Sequence, residues 1–154
     1  MENYICINGK KAELTEEQLK ALGIELPKVN PFERVKKTTP FYFITAKGKA
    51  EYGVELNDYH CSELYNVANY CTDKAIIEQR ALHETLNRLL WRYAMEHGGT
   101  GVFEIAYDGI KDKFTVQNCL LTYTGETFCK REVAKNAIED IIKPFMKAHP
   151  NFKF

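Results

Sequence analysis

The amino-acid sequence predicts an α+β fold in which antiparallel sheets pack on a long central helix and a C-terminal helix, preceded by a small N-terminal hairpin and short helix. Three observations carry this prediction. From Thr72 to His97 no proline or glycine interrupts a helical pattern. Along it Leu82, Leu86, Leu89, Leu90 and Tyr93 recur at the spacing of one helix side, with Ala75 extending the stripe. Pairs of β-rich runs joined by glycine-containing turns lie before and after that helix. From Cys129 onward, Val133, Ala134, Ala137, Ile138, Ile141 and Phe145 return to helical spacing.

Composition limits the function. A chain of 154 residues with 45% hydrophobic residues is large enough for one compact core. Lysine plus arginine and aspartate plus glutamate each total 21, so the formal net charge is zero. A protein held to nucleic acid chiefly by phosphate contacts usually carries a basic excess, and a nucleic-acid mimic an acidic one. Neither is present. The five cysteines are odd in number and the first residues are Met1, Glu2 and Asn3, with no basic, apolar leader, which leads us to expect reduced thiols and a cytoplasmic location. No apolar run reaches the roughly 18 to 20 residues needed to span a bilayer, so no membrane partner is expected.

Taken in order, Tyr4 to Ile7 is a short β-type run, Asn8-Gly9 is a hairpin turn, and Lys10 to Leu14 returns. Thr15 with Gln18 forms a capping box for a helix of barely two turns that stops at Gly23, completing an N-terminal unit over 1–28. Glu25 to Pro40 contains three prolines and reads as an extended connector, with a strand near Arg34 to Lys37. The remaining α+β domain, 29–154, begins with Phe41 to Thr45 and Ala50 to Glu55, a hairpin closed by Ala46-Lys47-Gly48-Lys49. Between Asn57 and Cys71 the apolar residues fit neither period cleanly, although Asn69-Tyr70-Cys71 suits a short strand entering the long helix. Opposite the leucine side of that helix, Ile77, Glu84, Trp91 and Met95 form a second, weaker strip that needs cover. Beyond it, Val102 to Tyr107 and Lys113 to Asn118 pair across Asp108-Gly109, and Leu120 to Thr124 with Thr127-Phe128 supplies a further strand or pair. Pro144 kinks the last helix or restarts it, and His149 to Phe154 frays unless Phe152 or Phe154 docks.

Residues 41–97 and 102–147 follow one order: strand, glycine turn, strand, polar interval, short strand, amphipathic helix. Ile76, Ile77 and Ala81 match Val133, Ala134 and Ile138 at a single offset. These halves read either as a ββ(β)α repeat or as a coincidence between two common units. If they are a repeat, the Ile77, Trp91 and Met95 strip is where they pack. Otherwise the strip faces a second copy of the chain.

The chemistry-bearing residues form no known catalytic pattern. His60, Cys61 and Cys71 are the only local cluster suggestive of zinc, but they lack the spacing of metal sites. A Cys61–His83 hydrolase has no local mark, and no phosphate-cradling glycine loop exists, so neither an enzyme nor a cofactor is expected. Tyr59, His60, Tyr65, Asn66, Asn69 and Tyr70 form a polar-aromatic stretch of the kind enriched in protein contacts, with Trp91 a further partner-binding residue. The competing reading is that these rings cap the core. Arg34, Lys36, Lys37, Lys47 and Lys49 are interleaved with Glu33 and Glu51, as on a solvated face.

Several residues carry a resemblance: Asn30-Pro31-Phe32-Glu33-Arg34-Val35-Lys36, Phe41-Tyr42-Phe43-Ile44, Leu64-Tyr65-Asn66, Asn69-Tyr70, Thr72-Asp73-Lys74 and Ala81-Leu82-His83. Over Val29 to Met146 the chain resembles small accessory proteins of phages and prophages of low-GC Gram-positive bacteria. Cys71 stands where such proteins commonly have an aromatic, a departure that bears on packing. The resemblance implies a setting, the bacterial host cytoplasm, in which such genes encode inhibitors of host defence, anti-CRISPR proteins among them. The expected function is therefore binding to a host protein, a CRISPR effector or another defence nuclease. The alternatives are a nucleic-acid-binding module using a sheet face and a homo-oligomeric, for example dimeric, structural or sequestering protein.

Overall fold

The computed structural model describes residues 4–7, 10–23, 30–119 and 126–154. Chain contacts divide it into two compact units, Met1–Pro31 and Phe32–Phe154. In the first, β1 (Tyr4–Ile7) pairs antiparallel with β2 (Lys10–Glu13). The Asn8-Gly9 turn lies outside the described residues. α1 (Glu16–Ala21) opens on the reciprocal cap its sequence predicts: Gln18 N donates to Thr15 Oγ1 (3.3 Å) and Thr15 N donates to Gln18 Oε1 (2.9 Å).

The second unit is the α+β domain. β3 (Pro40–Ile44) and β4 (Ala50–Val54) form an antiparallel hairpin, and α2 (Tyr59–Asn66) follows. Next comes the long helix α3 (Lys74–Glu96), capped by the Asp73 carboxylate, which accepts from Ala75 N at 2.8 Å. At about 1.5 Å per residue it is roughly 34 Å long. β5 (Phe103–Asp108) sits between β6 (Lys113–Asn118) and β7 (Thr127–Phe128) in an antiparallel sheet. The chain ends in α4 (Arg131–Ala137), a π-helical segment (Ile138–Ile142) and α5 (Lys143–Ala148). The strand expected near Arg34 to Lys37 is not formed; the chain is irregular there and turns at Lys37–Thr38, with Thr38 at φ +72°. Leu120 to Thr124 lie outside the described residues.

α3 is buried on two opposite sides. Near its start, Ile77 and Ala81 pack with Ile44 and Cys71 beneath the β3–β4 hairpin. Further along, Leu86, Leu90 and Ala94 pack with Phe128, Ala134 and Ile142 of the second half. At about 100° per residue, the nine-residue step from Ile77 to Leu86 is half a turn. The leucine side is a core side as expected. The expected second strip is corrected at one end: Ile77 is fully buried by the hairpin, whereas Trp91 and Met95 lie past its reach and stay about half exposed.

The two halves share a pairing pattern. Cys71 pairs antiparallel with Tyr42 of β3, and Thr127–Phe128 with Phe103 and Glu104 of β5. In each half the returning segment ends on a buried residue, Cys71 or Phe128, and the next helix starts three residues later. In the first half Asn69 lengthens the ladder with its side chain, donating to Ile44 O and accepting from Ile44 N, both at 2.7 Å.

Pro144 acts one turn upstream of itself. Lacking an N–H, it cannot continue the α ladder, and the chain widens into a π turn over Ile138–Ile142 before α5 resumes. Ile138, Ile142 and Phe145 all remain buried across the change. The C-terminal residues dock: Phe152 packs in the core beside Phe145, and Phe154 meets the rings of Tyr107 and Phe114. Gln79 pins this tail through its carboxamide, which donates to Asn151 O (2.6 Å) and accepts from Lys153 N (3.0 Å). Among the described residues no helix is long and apolar enough to cross a membrane.

Gly101 marks the closest approach in the second half. A Cβ there would lie 2.5 Å from Cys129 Cα and 2.8 Å from Phe128 O, both backbone atoms. Gly101→Ala must therefore displace β7 from β5, and we expect a loss of about 2 kcal/mol or more. Chemical denaturation measures it, and an unchanged midpoint would contradict the packing described.

Candidate protein-binding surface

The stretch from Tyr52 to Tyr70 combines an exposed apolar exterior with a charged interior. Six of the thirteen exposed large apolar side chains among the described residues lie between Tyr52 and Val67: Tyr52, Val54, Leu56, Tyr59, Tyr65 and Val67. They are close in sequence but divide between two faces: Tyr52 and Val54 lie on the Tyr42 side of the hairpin, towards α3, whereas Tyr59, Tyr65 and Val67 belong to α2 and its C-terminal cap, on the Phe41 side. Tyr59 is 76% exposed, and its hydroxyl pKa is raised by a hydrogen bond to Glu63.

α2 positions half of this surface. Asp58 caps it by accepting from Cys61 N at 2.8 Å. Cys61 and Leu64, three residues apart, turn inward onto the Phe41 and Tyr70 cluster. Tyr59, His60, Tyr65 and Asn66 are thereby left exposed on one short helix. The His60 ring meets the edge of Phe43 at 6.5 Å, and the Tyr65 ring stands edge-on to Tyr70 at 5.6 Å. Arg80 of α3 donates to Ala68 O, tying the end of this segment to the long helix.

Two of the residues expected on the surface are committed to internal contacts, Tyr70 buried and Asn69 half-buried, which is a correction. Tyr70 is 2% exposed and its ring stacks on Phe41 at 4.1 Å. Both polar atoms of the Asn69 carboxamide are used by Ile44. Each is fixed by the returning segment that pairs with β3. Trp91 is exposed but sits on α3, in a groove with Arg88, Arg92 and Lys47, away from the α2 residues.

The residue that sequence reasoning missed is Glu55, whose side chain is fully buried. Arg34 grips its carboxylate with two donors, Nε at 3.1 Å and Nη2 at 3.0 Å. Tyr70 OH donates at 2.9 Å and Asn57 N at 2.7 Å. In turn Tyr70 OH accepts from Val35 N at 3.3 Å. Four donors outweigh the cost of burial and hold the carboxyl down at about 2, with the Arg34 bonds the largest cause. Burial, helped by the Glu55 bond, pushes Tyr70 up to about 12. The network fixes the connector, β4 and the entry to α2 relative to one another. Its hint in the sequence is slight: one acidic residue between Val54 and Leu56, with an arginine twenty-one positions earlier.

The reactive groups are dispersed. Cys61 is buried, its thiol pKa raised chiefly by desolvation, and its Sγ donates to Val54 O at 3.7 Å. His83 lies against Phe152 instead, so the Cys61–His83 pair considered from sequence does not form. Cys71 packs in a different cluster from Cys61. Among the described residues no three His, Cys, Asp or Glu side chains converge as metal ligands.

Glu55 sets an acid limit. Its pKa is depressed on folding, so the stability it contributes is present above its ordinary value near 4.5 and is lost as the pH falls through about 2. Glu55→Gln should cost about 3 kcal/mol at neutral pH, the low end for a broken buried pair because Arg34 can still reach water. Between pH 5 and about 2 the variant's midpoint should fall less steeply than that of the wild type. Urea denaturation across that range measures both, and parallel slopes would refute the assignment. No family model, curated protein or solved structure matches this chain.

Proposed function

We propose that this chain acts by binding another protein through the exposed residues of α2. The observation that carries the reading is the set of Tyr59, His60, Tyr65, Asn66 and Val67, exposed on α2 and its C-terminal cap, on a segment clamped from beneath by the Arg34–Glu55–Tyr70 network. Aromatic and aliphatic side chains held rigidly lose little entropy on association, which is what an affinity surface requires. His60 and Asn66 supply polar groups on the same helix. The resemblance to phage accessory proteins selects the partner to test first, a bacterial defence nuclease such as a CRISPR effector, with inhibition as the outcome of binding.

The test is a phage-plating assay in a host carrying an active CRISPR system, paired with affinity capture of the nuclease. Expression of the chain should restore plaque formation and co-purify the effector. Tyr59→Glu with Val67→Glu should abolish both while leaving the circular dichroism spectrum unchanged, because both side chains are exposed. A tyrosine anchor of this kind is worth about 2 kcal/mol and a valine less, so the double variant should weaken binding by about thirtyfold or more. Plating unchanged by the chain, with no effector retained, would overturn the reading.

A further inference from the structure

The tip of the β3–β4 hairpin lies on α3 and forms a groove that the α2 surface does not share. One stretch, about 540 Å³, runs between the tip, α3 and the C-terminal tail; a second, about 420 Å³, continues past Arg88, Trp91 and Arg92. Lys47 and Thr85 line both, so the two adjoin along α3. The groove follows the side of α3 on which the hairpin covers Ile77 and then ends.

Its charge is one-sided. Lys47 and Lys49 are exposed and form no ion pair among the described residues. Glu84 is shared between Arg80 (3.0 Å) and Arg88 (3.5 Å), leaving one guanidinium charge unbalanced. Arg92 meets Glu96 only at 4.0 Å, and the lone acid lining the groove, Glu78, already faces Lys74 at 3.3 Å. A chain with zero net charge thus carries a local cationic track, and any attraction it exerts is confined to that track.

The backbone that carries the lysines is held in place. Gly48 N donates to Thr45 O (2.8 Å) and Thr45 N to Lys49 O (2.9 Å), closing the tip on itself. Gly48, at φ +73°, comes so close to α3 that a Cβ would stand 3.0 Å from Thr85 Oγ1 and 3.7 Å from an Arg88 nitrogen. Trp91, half exposed between Arg88 and Arg92 in sequence, offers a flat ring beside these charges.

We propose that this groove binds a single-stranded nucleic acid, with phosphates running past Lys47, Lys49, Arg88 and Arg92 and a base lying on the Trp91 ring. Spaced cations with an aromatic platform are what such strands use, whereas an acidic peptide would engage the charges and leave the indole idle. Backbone charge and base stacking together make the occupant sequence-tolerant.

The probe is a fluorescein-labelled oligothymidylate of about fifteen nucleotides, read by anisotropy and by emission of Trp91, the only tryptophan in the chain. At about 50 mM salt we expect saturable binding with quenching, weakened roughly 20- to 50-fold at about 200 mM salt if three or four phosphates are contacted. Lys47→Glu with Lys49→Glu, and separately Arg92→Glu, should each reduce affinity about tenfold or more with the circular dichroism spectrum intact. Lys47→Gln with Lys49→Gln serves as the milder pair. Absence of binding at low salt, wild-type affinity in every charge variant, or equal displacement by polyglutamate of the same charge would each overturn the proposal. A negative result leaves the α2 reading standing, because the two surfaces have no residue in common.

Discussion

The structure depends on one helix being buried on opposite sides at its two ends. α3 gives Ile77 and Ala81 to the β3–β4 hairpin and, half a turn round, Leu86, Leu90 and Ala94 to the second sheet and α4. The second sheet packs on α3 and α4, and the β3–β4 hairpin has α2 on one face but needs α3 to cover the other. A two-stranded hairpin is marginal alone, and β7 contributes only two residues to its sheet. Each half therefore borrows a wall from α3, and loss of either exposes apolar surface on the same rod. The arrangement also explains why surface remains available for binding: where the hairpin stops, the side of α3 it was covering emerges as Trp91, Met95 and two arginines.

The large elements were legible because their signals are long. Twenty-three uninterrupted helical residues, two glycine-turn hairpins and the Thr15–Gln18 cap announce themselves in the sequence. α2 was not legible, because eight residues with only Cys61 and Leu64 turned inward give barely two turns of periodicity. Alternation is inverted in β4: Tyr52 and Val54 are exposed, while the residue after the strand, Glu55, is the buried one. A rule that places apolar residues inside fails there because α2, Val35 and the Arg34 bridge cover the other face. Of the seven surface residues expected from sequence, Tyr59, His60, Tyr65 and Asn66 come together on α2, Trp91 is exposed elsewhere, and Asn69 and Tyr70 turn inward. Period and composition do not reveal that turn, since it depends on Cys71 finding Tyr42 across a long separation.

Buried charge and exposed apolar surface are two aspects of the same segment. A hydrophobic replacement for the Arg34–Glu55 pair could be equally stable, as buried ion pairs seldom add net stability. The pair and its Tyr70 and Asn57 donors instead fix geometry, because a carboxylate with four satisfied bonds tolerates few alternatives. Rigid backing of this kind lets Tyr59 and Val67 stay in water without collapsing onto the core. The hairpin tip uses the same approach with neutral groups: Thr45 and Gly48 hold the backbone of Lys47 and Lys49 over α3.

The carboxamide of Asn69 stands in for a strand residue, presenting one donor and one acceptor to Ile44. Slow deamidation, the covalent ageing to which asparagine is prone, would turn that nitrogen into a second carboxylate oxygen. An acceptor would then face the Ile44 carbonyl, and the attraction that stitches this edge would become repulsion. A single uncatalysed hydrolysis would thus turn one of the two bonds at this seam against it while the Tyr42–Cys71 pair beside it stayed intact.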